Sequence, residues 1–262
     1  MRLATWNVNS LTARLPLVLE WLEAHAPDVL CMQETKLADD AFPAAAFRAL
    51  GYVSAHHGDG RWNGVAIVSK VGLQAPECGL ASEEDAHGCR VIGATCGGIR
   101  VYSVYVPNGR SLDSEHYAYK LAWLARLRAY LDERCDPSSP VAVCGDFNIA
   151  PADTDVWDPA AFEGMTHVSE PERRALAEIL GWGLEDVFPR FHPDGGVYSW
   201  WDYRGGSFHK GYGMRIGLVL LTQVLASRCR SLEIDRDARK KSPAGHKPSD
   251  HTVVIADIDW EA

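Results

Sequence analysis

The chain has 262 residues, 47% hydrophobic and 23% charged, and a formal net charge of −9. Those figures fit one large soluble domain spanning 1–262 with a substantial buried core. They exclude a membrane span, since no apolar run approaches the roughly 20 residues a crossing helix needs, and seven scattered cysteines without a C-x-x-C pair argue against a disulfide scaffold, so the expected setting is cytoplasmic and reducing.

In chain order, strand patterns rich in Val, Ile, Leu or aromatics fall at Met1 to Val8, Val29 to Gln33, Gly64 to Ser69, Arg100 to Tyr105, Val141 to Cys144, Ile216 to Leu221 and Thr252 to Ile258. Helical patterns fall between them at Leu15 to Ala26, Ser114 to Asp132 and Pro171 to Leu180. The second helix carries Tyr117, Leu121, Leu124, Leu127 and Leu131 at three- and four-residue spacing, an apolar stripe under a polar face. Alternation of the two patterns from end to end predicts an α/β fold. Pro189 to Gly213, rich in glycine and aromatics, reads as a long loop region of the kind that carries function.

Several apolar strands end in a polar, metal-competent residue. Asn7 follows the first, Glu34 the second, and Asp146 and Asn148 the fifth, while Asp250 and His251 precede the last. One such residue is usually a cap or turn former. Repeated at the ends of neighbouring strands, they converge in space, and clustered carboxylates repel unless a cation relieves them; a hard, oxygen-seeking ion such as Mg²⁺ suits the set. Metal-bound carboxylates suit phosphoryl chemistry, with a water held by Asp146 and a phosphate bound or protonated by His251. Read from residues alone, this is a metal-assisted phosphoester hydrolase.

At these positions the sequence resembles the exonuclease III family of DNA repair endonucleases. The resemblance runs essentially the whole length and rests on Thr5-Trp6-Asn7-Val8-Asn9, Gln33-Glu34-Thr35-Lys36, Tyr105-Val106-Pro107-Asn108-Gly109, Gly145-Asp146-Phe147-Asn148, Trp200-Trp201-Asp202-Tyr203 and Lys247-Pro248-Ser249-Asp250-His251. It implies a four-layer α/β sandwich, two mixed sheets face to face with helices outside. It implies Glu34, Asn7 and Asp250 as the principal Mg²⁺ site, with Mn²⁺ as a substitute and one or two ions in action; Asp146, Asn148 and His251 belong to the same constellation. Asp146 would position or deprotonate the attacking water. Asn148, His251 and Tyr105 would hold the scissile phosphate, and Arg90 and Asn108 the DNA backbone. Trp200, Met214 and Ile216 would line a pocket for a baseless sugar. The implied partner is double-stranded DNA with abasic sites or blocked 3′ ends; with no heptad or exposed apolar stripe in the sequence, the expected state is a monomer.

One position departs from the family pattern: after Gly213-Met214-Arg215-Ile216 the family has Asp and this chain has Gly217. The family carboxylate looks like the orienter of the active-site histidine, so its loss implies a rate lowered by roughly 10- to 10⁴-fold. A deliberate substitution, a paralogue of altered activity and replacement by another acid or a water all stay open. So do two other functions, a silent DNA-damage binder and a phosphodiesterase acting on lipid or inositol phosphates. The net charge sits awkwardly with DNA, although a metal-binding carboxylate cluster accounts for part of it. The basic residues available are Arg61, Arg90, Lys210, Arg215 and the run Arg236 to Lys247, which by itself reads as a solvated loop. His56-His57 and the cluster Asp153, Asp155, Asp158 read as loop and turn residues rather than metal sites.

Overall fold

A computed structural model describes residues 1–80, 88–242 and 244–261. In chain order its elements are β1 (Arg2–Asn7), α1 (Leu11–His25), β2 (Val29–Gln33), α2 (Ala44–Ala49), β3 (Val53–His57), β4 (Val65–Ser69), β5 (Gln74–Cys78), β6 (Val91–Cys96), β7 (Ile99–Tyr105), α3 (Glu115–Arg134) and β8 (Val141–Asp146). There follow α4 (Glu170–Leu180), β9 (Leu184–Asp186), α5 (Phe188–Phe191), β10 (Trp200–Trp201), α6 (Ser207–Lys210), β11 (Gly213–Met214), β12 (Gly217–Thr222), α7 (Gln223–Ala226), β13 (Cys229–Asp235) and β14 (Val253–Ile258).

The strands form two six-stranded mixed sheets, ordered β13-β14-β1-β2-β4-β3 and β5-β6-β7-β8-β12-β9, with β10 and β11 as a separate ribbon. Period-two alternation builds the layers. Leu3, Cys31, Ile67 and Val254 of the first sheet meet Ala94, Val101, Cys144 and Val219 of the second in one central core. The opposite faces carry the helices: Ala4, Trp6 and Leu30 pack under Val18, Trp21 and Leu22 of α1, and Tyr102, Val143 and Leu220 pack under Trp123, Leu127 and Leu176 of α3 and α4. This is the four-layer sandwich expected. All seven cysteines are free thiols. Among the described residues no helix is long and apolar enough to cross a membrane.

The seven strands and three helices read from the sequence are present, with shifted ends. The first helix starts at Leu11 rather than Leu15, because Ser10 supplies no side-chain cap to mark it and Pro16 lies inside it. Strands β3, β5, β6, β9 and β13 went unread; β5 is exposed throughout and β3 and β13 are only partly buried, leaving little apolar alternation to detect, whereas β6 is almost wholly buried but its apolar run is broken by Gly93 and Thr95. The segment read as a long loop is organised instead by the β10–β11 ribbon, in register Trp200↔Met214 and Trp201↔Gly213.

Candidate active site

Strand direction brings the polar strand ends together. β1 and β2 run parallel and finish side by side at Asn7↔Gln33, with Glu34 next in the chain. In the other sheet β7 and β8 run parallel and finish at Tyr105↔Asp146. β12 runs antiparallel to β8 and begins at this same edge with Gly217↔Asp146, and an isolated bridge sets Trp200 against His251 just before β14. Gly145 is required here: a Cβ on it would lie 1.9 Å from the Val104 carbonyl oxygen, so only glycine lets β8 pass β7 this closely. Glu34 and Asn148 sit at φ 53° and 51°, in the left-handed region that side chains rarely adopt and that clusters at functional sites.

One ligand atom each from Glu34, Asp146 and His251 lies within 4.8 Å of the others, a set able to hold a metal ion. Asn7 bridges the carboxylates, its Nδ2 donating to Glu34 Oε1 and Asp146 Oδ2 at 2.8 Å each, while its Oδ1 accepts from the Asn9 amide. Lys36 sets its ammonium 2.9 Å from Glu34 Oε2 and 2.6 Å from Asn9 Oδ1. Asp250 stands one step back, its oxygens taken by Asn9 Nδ2 at 2.8 Å and Trp200 Nε1 at 3.1 Å. Burial pushes the Asp146 carboxyl up, against the pull of His251 and Asn7. Asp250 goes the other way: burial raises it, but His251, Asn9 and Trp200 together leave it below the usual carboxylate range. Burial, and then Glu34, hold the Tyr105 phenol well above its ordinary value, so it stays protonated.

These groups floor a cleft of about 480 Å³. Trp200, Met214 and Ile216 form an apolar wall, and Trp157 stacks on Tyr212 at 3.8 Å between ring centroids at its rim. Arg90 lies over the Tyr105 ring and donates to its carbonyl, lining an adjoining cavity with Asn108. Asn148 donates from its amide to the Val106 carbonyl, and its Oδ1 accepts from Asn108 Nδ2 at 3.3 Å.

The structure adds residues that sequence reasoning missed. His167, at φ 79°, lines the cleft with Nε2 3.1 Å from Asn148 Oδ1 and 3.2 Å from Asn108 Nδ2. Burial, then nearby Lys120, bring it down to about 4, so it is neutral at physiological pH. Lys120, fully buried, donates to the carbonyls of Asn148 and Asn108 and pairs with buried Glu172, which accepts from Thr166, Ser169 and the His167 amide. Nothing in the sequence marks His167. Lys120 sat on what read as a polar helix face.

Other readings change or gain a reason. Arg215 does not face DNA: it is 2% exposed, doubly bonded to Asp155 and bonded to Asp186. Asp155 is therefore held by an ion pair, while Asp158 caps the Ala160 amide as a turn former and Asp153 pairs with Arg173. His56 bridges Thr35 and Asp39 through its two ring nitrogens. Gly217 donates its amide to Ser199 Oγ at 2.9 Å. Among the described residues neither ring nitrogen of His251 has a hydrogen-bond partner, its nearest acid being Asp146 at 3.7 Å.

Residues 4–251 match the endonuclease/exonuclease/phosphatase family. The chain belongs to that family. It is 33% identical to an exodeoxyribonuclease III of Haemophilus influenzae, over 98% of this chain and all of that one. Its fold superposes on an AP endonuclease from Archaeoglobus fulgidus with a TM-score of 0.94 and 40% identity, covering 99% of each chain. It also superposes on a 3′ phosphatase from Neisseria bound to a product DNA hairpin, with a TM-score of 0.93 and 40% identity, covering 99% of this chain and all of that one. The protein is thus a phosphodiester-cleaving hydrolase of exonuclease III type.

Proposed function

We propose that this chain is a Mg²⁺-dependent DNA repair phosphodiesterase that cuts the backbone 5′ to abasic sites and also processes 3′ ends. The observation that carries the reading is the convergence of Glu34, Asp146 and His251 within 4.8 Å on the floor of a cleft with an apolar wall. The donor set fits a divalent ion: two carboxylates beside one imidazole are relieved by a cation, and Glu34 and Asp146, with Asp250 behind them, would hold it. When bound, Mg²⁺ or Mn²⁺ neutralises charge on the phosphate oxygens.

The chain's own residues supply the rest. Asp146, with raised proton affinity, positions the attacking water and accepts its proton. His251, Asn148 and the protonated Tyr105 hydroxyl meet the phosphate oxygens. Trp200, Met214 and Ile216 offer an apolar wall to a deoxyribose that carries no base, while a full nucleotide would crowd it. Arg90 and Asn108 place the strand without reading its sequence. A second reading, that 3′ termini are the main substrate, is favoured by the likeness to the Neisseria 3′ phosphatase.

The deciding experiment is Mg²⁺-dependent incision of a duplex with one synthetic abasic site, run beside a duplex with a 3′-phosphate, for the parent chain, Gly217→Asp and Glu34→Ala. Incision that rises at least about tenfold in Gly217→Asp and vanishes in Glu34→Ala is the expected result. Phosphate release without incision would move the assignment to 3′ ends. Binding of the abasic duplex with no cleavage by any version would make the protein a damage binder instead.

A further inference from the structure

The basic run Arg236 to Lys247 is absorbed by none of the chemistry above. Pro243 within it lies outside the described residues. Arg239, Lys240, Lys241 and Lys247 from the run surround a cavity of about 370 Å³ together with Tyr203 and Phe208. That cavity adjoins the catalytic cleft, since Asp202 and Ser207 line both. A chain of hydrogen bonds also joins them: Tyr203 donates to the Pro248 carbonyl and accepts from Arg14, Arg14 donates to the Asn9 carbonyl, and Asn9 donates to Asp250.

Arg239 is the anomaly. It is 8% exposed, yet among the described residues its guanidinium has neither a hydrogen-bond acceptor nor a carboxylate partner, and its Nε is buried with nothing to bond. The comparably buried cations in the same fold are matched, Arg215 by Asp155 and Asp186 and Lys120 by Glu172. A buried charge without a counter-ion is costly. The faces of Tyr203 at 4.9 Å and Phe208 at 5.2 Å offset part of the cost. They supply no acceptor for the guanidinium hydrogens. A second cation, Lys247, shares the Tyr203 ring at 5.0 Å, and Lys241 stands exposed at the cavity edge. Asp202, the nearest acid on the lining, is occupied by Arg204. Lys240 is occupied by Asp237. In a chain of net charge −9, Arg239, Lys241 and Lys247 gather beside the cleft with no carboxylate partner among the described residues.

We propose that Arg239, Lys241 and Lys247 form a phosphate subsite that grips a backbone phosphodiester of the substrate strand next to the one being cut. The inference rests on the DNA-cleaving reading and adds a positioning element to it. A guanidinium presents planar, paired N–H donors that match phosphate oxygens, and the ammonium groups add charge without fixed geometry. Tethered to Asp250 through Tyr203, Arg14 and Asn9, the gripped phosphate would set where along the strand the scissile bond falls.

The test is anisotropy of a labelled abasic duplex titrated with KCl in EDTA, where nothing is cut. Each phosphate contact contributes a slope of about −0.9 in log K against log salt. Lys241→Gln/Lys247→Gln, whose side chains are exposed, should make the slope shallower by about 0.9 and weaken binding several-fold. Arg230→Gln, at the far end of the first sheet, should do neither. Single methylphosphonates placed along the strand then locate the contact: neutralising one position weakens the parent and leaves the double variant unaffected. Arg239→Gln should behave like the double variant if thermal melting shows it folded. An unchanged slope, or identical methylphosphonate profiles for parent and variant, overturns the proposal. So does lysine-dependent binding of inorganic phosphate alone alongside an unchanged DNA slope, which would mark a free-anion site. Failure of the parent to bind any duplex would instead sink the DNA-cleaving reading on which the subsite depends.

Discussion

At position 217 the backbone has no left-handed conformation to demand glycine, so a side chain is sterically thinkable. A Cβ there would meet Ser199 Oγ at 3.2 Å and Val254 Cγ2 at 3.3 Å, tight contacts that are relieved if those neighbours give by a few tenths of an ångström. Because Gly217 is registered directly opposite Asp146, that side chain would emerge on the same sheet face as the Asp146 carboxylate. Ser199 Oγ already accepts from the amides of Ile216 and Gly217, which leaves its own hydrogen free for a new carboxylate. Gly217→Asp should therefore gain rate at a stability cost of about 1–3 kcal/mol from overpacking, checked by single-turnover incision beside thermal melting. A variant that stays folded at the assay temperature yet cuts no faster would show that His251 is oriented by something other than residue 217. At this scale the sequence was informative wherever a carboxylate or amide interrupted an apolar strand, as at Asn7, Glu34 and Asp146. It was silent where the surroundings come from distant segments, as for His167 and Lys120. Arg215 was misread because its two neighbours, Met214 and Ile216, face the cleft, and two-residue alternation turns the arginine the other way, onto Asp155.

Among the elements, α3 and α4 are joined to the active-site loops by the buried Lys120–Glu172 pair. The partners respond differently to the same surroundings. Burial pulls Lys120 down despite Glu172, whereas Glu172, also pushed up by burial, is brought below its ordinary value by Lys120, Ser169 and Thr166. Lys120→Met should cost about 3–5 kcal/mol, because it strands a buried carboxylate, and should lower activity as well, since the same ammonium holds the carbonyls of Asn108 and Asn148. The pH dependence has a definite sign. A carboxyl with a depressed folded value contributes stability above its unfolded value, about 4.3 for glutamate, and loses it as pH falls through the folded one. The melting gap between the parent and Glu172→Gln should thus be widest near neutral pH and narrow below about pH 4; a gap that stays constant with pH would mean that Glu172 carries no charge in the fold. The long helices and most central strands were legible because burial imprints a pattern on them; β6, buried but interrupted by Gly93 and Thr95, was not. Edge strands such as β5, exposed along their whole length, carry no such imprint.

For the molecule as a whole, two six-stranded sheets packed face to face bring their polar strand ends together and hold Glu34 and Asp146 close to each other in a chain already at −9. Asn7 and Lys36 reduce the repulsion, and burial of Asp146 restores some of it. A divalent cation that binds only the folded chain should therefore stabilise it by about 2.7 kcal/mol at a hundredfold excess over its dissociation constant. For a domain this size that is a rise of several degrees in Tm, at roughly 2–4 °C per kcal/mol. The measurement is a melt with millimolar MgCl₂ against NaCl of equal ionic strength, so that general screening cancels. Glu34→Ala separates the two contributions. Losing one carboxylate should raise Tm without Mg²⁺, because Asp146 no longer faces a like charge, and should abolish most of the Mg²⁺ increment. An increment of equal size in parent and variant would place the bound cation elsewhere on this acidic surface, and the carboxylates at the sheet edges would then have to be explained without it.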